Sequence, residues 1–345
     1  MVSVKGKKVY LEIIRIIAIM LVVLNHIDIN YYYYHHTHNP ATFFISLVVT
    51  VLCTIDVPLF FMVSGALLLG KNESVKDVYK KRILRFAICI LIFSILQYVV
   101  KSFRGQITDP SLSDFVLKVL SGNIQETYWF LYEYLGILMI LPLLRKMAQG
   151  MDDTEFLYLF WLRIIINIIF SINSPQISDA VNGSWRDSIQ CVLSYSWYML
   201  MGYYVENRFS HENKQVHSEL YFMSGIVLPV ILVSVQYLSK GSLNDGITGM
   251  TTPFCAVVCF LAIKNKYVDN SNNRINRIVV LLGSLTFGVY LTEWYARWLL
   301  LPMYIYMTNH TIGIIASALY WLLSLVMAFG FSFVLKRIPL IKRII

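Results

Sequence analysis

The chain has 345 residues, 57% of them hydrophobic and only 14% charged, with a mean hydropathy of +0.61. That composition excludes an ordinary soluble globular domain. The formal net charge of +9 needs no nucleic acid to explain it, because its placement follows membrane topology.

A hydrocarbon core about 30 Å thick takes roughly 20 apolar residues per helix. Backbone groups are satisfied there only in helices or closed barrels, and the long continuous apolar runs favour helices. The expected fold is all-α: a polytopic membrane bundle of about ten transmembrane helices, over 10–29, 43–69, 83–100, 128–147, 155–172, 188–205, 220–238, 248–263, 278–297 and 312–335. With both termini cytoplasmic, the inner side holds 21 of the 29 Lys and Arg. The outer loops hold only Lys101, Arg104, Lys118, Arg186 and Lys240. Anionic membrane lipids are then the default partner of the positive charge. Neither an internal repeat nor a low-complexity linker interrupts the chain, so one domain over 1–345 is the simplest division.

The first span reads LEIIRIIAIMLVVLNHI (11–27) and carries Glu12 and Arg15 near one end, Asn25 and His26 near the other. Its Arg and lack of a small-residue cleavage site argue against a removable signal peptide. Arg15 and His26 are eleven residues apart, which on a helix returns to within roughly 20° of one face about 16 Å further along. Glu12 sits one turn before Arg15 at ion-pair spacing. Snorkelling of Arg15 and helix packing by His26 are the alternative account. The stretch YYYYHHTH (31–38) gathers His35, His36 and His38, but without a nearby carboxylate or fourth ligand it does not define a metal site, and no metal is expected. Its tyrosines suit the outer interface or the stacking of sugar rings.

In the second span, TIDVPLFFMVSGALLL (54–69), Asp56 and Pro58 interrupt an apolar helix at mid-depth, and a carboxylate there needs a partner or a polar cavity. Ser64 and Gly65 suit close helix packing. The third span opens with Lys80, Lys81, Arg82 and Arg85, either plain positive-inside charge or a group that suits the phosphates of an anionic cofactor. The outer stretch LSDFVLKVL (112–120) has helical apolar spacing and is expected at the interface. Further along, Glu133 and Glu293 stand at a depth similar to that of His26, and either could orient it. The alternatives are solvation for Glu133 and a one-turn pair with Arg297 for Glu293. Arg163 and Asn167, one turn apart, are expected to brace a helix interface. The five cysteines fall inside spans, so no disulfide framework is expected.

Taken in order, the Arg-x10-His spacing, DVPLFFMVSGALLL, KKRILR, YWFLYEYLGILMILPLL (128–144) and LTFGVYLTEW (285–294) resemble the acyltransferase-3 family of bacterial integral-membrane acyltransferases. The resemblance implies transfer of an acyl group, usually acetyl from acetyl-CoA, to a hydroxyl of a cell-surface or exported glycan at the cytoplasmic membrane. It implies acyl-CoA, a surface polysaccharide or lipid-linked glycan, and glycan-synthesis proteins as partners. It places the functional pair on Arg15 and His26, and points to Arg82 and Arg85, with Lys81 beside them, for the donor. The family often has His after the YL of the late motif, where this chain reads Thr292-Glu293. No appended soluble domain is expected. The catalytic candidates are thus His26, Arg15, Glu293 and Glu133; Glu12, Asp56, Ser64 and Arg163 are further buried polar groups. A glycan exporter is the rival reading, against which stands the absence of related halves.

Overall fold

A computed structural model of the protein describes residues 8–27, 39–171, 195–209, 216–240, 245–267, 273–342 and 344. All regular structure among them is helical. The helices are α1 (Val9–Asn25), α2 (Pro40–Cys53), α3 (Asp56–Leu68), α4 (Val75–Phe103), α5 (Leu112–Leu120), α6 (Trp129–Gly150), α7 (Asp153–Ser171), α8 (Ser196–Asn207), α9 (Val216–Lys240), α10 (Asp245–Lys266), α11 (Arg274–His310), α12 (Gly313–Leu335) and the short α13 (Pro339–Lys342). Each of the ten predicted segments coincides with helix in whole or in part. Five stretches are long and apolar enough to cross a bilayer: Ala41–Leu68, Val75–Phe103, Glu126–Gly150, Arg274–His310 and Gly313–Leu335. The chain is a multi-pass membrane protein. His35, His36 and His38 lie outside the described residues, as does Cys191, while Cys53, Cys89, Cys255 and Cys259 are buried free thiols.

The chain forms two compact units, Met1–Leu69 with Met151–Val334, and Gly70–Gly150 with Leu335–Ile345. In the first, the predicted second span is two helices. Asn39 caps α2, its side chain accepting from the backbone of Ala41 and Thr42, with Pro40 at the first helical position. The helix stops at Cys53, where Thr54 and Ile55 turn the chain, and α3 starts afresh at Asp56. Pro58 therefore falls in a first turn whose N–H groups have no intrahelical partner, so its missing donor costs nothing. Asp56 stands at the positive end of the helix and accepts from the Val57 N–H at 2.5 Å. This break is what makes a buried carboxylate tolerable here.

Helix α3 crosses α8 with backbone against backbone. A Cβ on Gly65 would fall 1.9 Å from the Met199 carbonyl oxygen, and one on Gly202 would fall 2.0 Å from that of Met62. Only glycine permits that approach, as expected for small residues at membrane helix interfaces. Trp197, Tyr198, Met199, Leu200 and Met201 of α8 are all buried. Helix α1 packs on α3 and α11, and α9 on α10. Trp321 of α12 donates to the Met20 carbonyl at 3.0 Å, and Ser332 to that of Leu285 at 2.8 Å, tying α12 to α1 and α11.

The second unit is built on α4 and α6. Ser74 caps α4 by accepting from the Asp77 N–H at 3.1 Å, and residues Tyr79–Ile83 form a π-helical turn within it. The expected amphipathic helix is α5, capped by Ser111, with Leu112, Leu117 and Leu120 exposed. Tyr98 and Tyr132 hydrogen-bond the ends of α5, and Lys101 donates to the Ile124 carbonyl at 2.8 Å, fastening the loop to α4 and α6.

Candidate active site

At the C-terminal end of α1 the first unit gathers charge in its interior. His26 is the C-cap of α1, so its carbonyl lacks a helical donor. Arg297 of α11 supplies one, its Nη1 donating to the His26 oxygen at 2.9 Å. The same guanidinium grips Glu293 one turn back, Nε to Oε2 at 2.6 Å and Nη2 to Oε1 at 3.4 Å. Glu293 is fully buried, and its Oε1 lies 3.2 Å from Nδ1 of His26, close enough for a charge contact although the ring N–H is not aligned on it. The His26 side chain remains 22% exposed. One arginine therefore fixes both the backbone of the histidine and the carboxylate facing its ring.

On the other flank, Asn25 donates to Oδ2 of Asp56 at 3.4 Å, and Asp56 is within electrostatic reach of His26. The buried Tyr290 lies within reach of both Asp56 and Glu293. Tyr320 of α12 donates to the Arg297 carbonyl at 2.6 Å, bracing the clamp from behind.

Towards the start of α1, Arg15 Nη1 holds both oxygens of Glu12, at 3.2 and 3.1 Å. Glu12 is buried in a notch of α11 that exists because residue 283 is glycine: a Cβ there would meet the Glu12 carboxylate at 2.4 Å. Arg15, 29% exposed, is left at the edge of that notch.

In the second unit, Glu73 joins two arginines. Its Oε1 accepts from Arg82 Nη2 at 2.6 Å, and its Oε2 from both Arg82 Nε and Arg145 Nη2 at 2.8 Å. The Arg82 hydrogen bonds, with help from Arg145, pull the Glu73 carboxyl down to about 2. Lys81 pairs with Asp77 one turn back at 2.8 Å, and Arg85 donates to the Ile344 carbonyl at 3.3 Å.

Over residues 8–337, nearly its whole length, the sequence matches the acyltransferase-3 family, an acyltransferase domain. The chain belongs to this family. No curated protein and no solved structure matches it. Seen as an acyltransferase-3 protein, its sequence candidates separate by position. His26, Glu293 and Asp56 share one cluster, and Arg15 and Glu12 form another on the same helix. Lys81, Arg82 and Arg85 stand with Glu133 in the second unit, where Glu133 is half-buried on α6. Ser64 is half-buried beside the Gly65 crossing. The buried Arg163 lies over the rings of Trp197 and Tyr198, at 5.6 and 5.4 Å, bracing α7 against α8. Among the described residues no group of three or more His, Cys, Asp and Glu could hold a metal ion.

Three members were not singled out from sequence. Arg297 was visible only as a helical neighbour of Glu293, and nothing local announces its bond to a carbonyl 271 positions away. Nothing in the local sequence joins Glu73 to Arg145, 72 positions apart. The spacing that unites them exists only in three dimensions.

Proposed function

We propose that this acyltransferase moves an acyl group, acetyl above all, from cytosolic acyl-CoA to a hydroxyl of an exported or cell-surface glycan. The observation that carries the reading is the His26, Glu293 and Arg297 arrangement in a chain of an acyltransferase family. A carboxylate facing Nδ1 favours the tautomer protonated there, leaving the Nε2 lone pair to act. Nε2 takes the proton of the acceptor hydroxyl as that oxygen attacks the thioester carbonyl carbon. The carbon–sulfur bond breaks, and the imidazolium returns the proton to the departing thiolate. A covalent acyl-histidine is the other route to the same products.

Arg15 holds the charged part of the donor, with Arg82 and Arg85 contributing phosphate contacts. A pantetheine arm can cover the roughly 16 Å that eleven helical residues put between Arg15 and His26. The apolar runs support about ten crossings and the charge bias cytoplasmic termini; the family match over residues 8–337 supports a single functional domain and, through the resemblance, residence in a bacterial cytoplasmic membrane. Surface polysaccharide or lipid-linked glycan is the acceptor, with glycan-synthesis proteins as neighbours.

The test is acetyl-CoA turnover by the protein purified in detergent, following coenzyme A release with a thiol reagent. Release that rises with added glycan acceptor is the expected result. No turnover with any of a range of acceptors would favour glycan export instead.

A further inference from the structure

The Glu73 carboxylate is held as a bound anion would be. It receives three charge-assisted hydrogen bonds from two guanidiniums, two of them as a parallel fork from Arg82. Arg145 is almost fully buried, its side chain only 5% exposed, and a buried guanidinium demands a counter-ion. The two arginines stand on helices, Arg82 in α4 and Arg145 in α6. Glu73 alone comes from the irregular segment 71–74. Its side chain is 25% exposed. The cations are thus fixed, and the anion is the member able to leave.

The carboxyl is held far below the usual carboxylate range and is ionised at any physiological pH. It therefore always competes for the two guanidiniums. A phosphate ester presents more oxygens and more charge than a carboxylate, and satisfies the same two forks.

We propose that Arg82 and Arg145 form an anion site for a phosphate ester, and that Glu73 is its resident counter-ion, displaced when the phosphate binds. The identity of that ester as part of acyl-CoA rests on the function proposed above; the anion site itself does not. Arg145 is then a donor-binding residue, and Glu73 keeps the empty site folded.

Thermal unfolding of the detergent-solubilised protein tests this, with inorganic pyrophosphate, coenzyme A or phosphatidylglycerol added, against sodium chloride at matched ionic strength. Glu73→Gln should unfold at lower temperature than wild type without ligand. Pyrophosphate and coenzyme A should raise its Tm by about 1–2 °C more than they raise that of wild type. Adding Arg145→Lys to Glu73→Gln should remove that excess. If Glu73→Gln does not accumulate, Glu73→Asp should show the same excess, since its shorter carboxylate cannot span both guanidiniums. Equal shifts in variant and wild type would overturn the proposal and leave Glu73 as a structural ion pair. An excess with pyrophosphate but not coenzyme A would keep the anion site and overturn the donor assignment. An excess with phosphatidylglycerol alone would assign the site to lipid and overturn it likewise.

Discussion

At the end of α1 every charged group stands on a helix or its cap, and α1 and α11 are tied to α12 by side-chain to backbone bonds, Trp321 to Met20 and Tyr320 to Arg297. In the second unit, the two arginines are just as firmly placed, but the carboxylate between them comes from a loop. The first arrangement suits a group that must hold a reacting atom still. The second suits a group that must yield to a ligand. The same ingredients, one carboxylate and guanidinium forks, thus serve opposite ends according to the backbone that carries the carboxylate.

The comparison can be strained most at Glu293. Glu293→Ala strands Arg297 beside a buried pocket, and the loss of folding stability should be about 3–5 kcal/mol, seen as a large drop in Tm in detergent. Arg297→Lys keeps the charge, but one ammonium cannot reach the carboxylate and the His26 carbonyl together. Its transfer rate should fall with little change in the apparent Michaelis constant for donor, and an unaltered rate would reduce Arg297 to a surface-type ion pair.

Next comes the frame that holds the first cluster. Gly65→Ala places a methyl group against the Met199 carbonyl, and neither backbone can yield cheaply. Overpacking of this kind typically costs about 1–3 kcal/mol. Thermal unfolding should register it, whereas Gly136→Ala, where a Cβ meets nothing within 4 Å, should be close to neutral. Equal behaviour of the two variants would mean that α3 and α8 can separate without penalty.

In the second unit the effects should be smaller and ligand-dependent. Arg82→Ala with Arg85→Ala should raise the apparent Michaelis constant for acyl-CoA more than that for acceptor, because lost phosphate contacts weaken donor binding. An unchanged donor dependence would leave these residues to topology alone. The smallest effect concerns pH. Glu73 is lowered from 4.5 to about 2 in the folded protein, so its stabilisation is fully present above about 4.5 and is lost as pH falls towards 2. The Tm difference between wild type and Glu73→Gln should therefore be constant near neutrality and shrink below about pH 4.5. A difference undiminished at pH 3 would show that the carboxylate does not act through its charge.

The helices were legible because hydropathy and length are local properties, and α1, α6 and α12 fall within a few residues of the expected spans. The interruption of the second span was announced by Asp56 and Pro58, though not that the chain would turn at Thr54 and begin a new helix. The continuation of α11 to His310 past the expected end at 297 was hidden by Pro302, which this helix accommodates. In the site, Glu12 with Arg15 and Glu293 with Arg297 could be read from one-turn spacing. The His26 to Glu293 contact joins residues far apart in the chain, and only the packing of α1 on α11 creates it. Glu293 pairs with Arg297 one turn on, and the same carboxylate faces His26.

The central claim, that His26 is the group that handles the proton or the acyl group, is tested most directly by His26→Ala, with labelled-acetyl transfer to membrane glycan measured beside acetyl-CoA binding by calorimetry. Transfer should fall by about 10²- to 10⁴-fold while donor affinity stays near that of wild type. Full transfer by a properly folded His26→Ala protein would contradict the account.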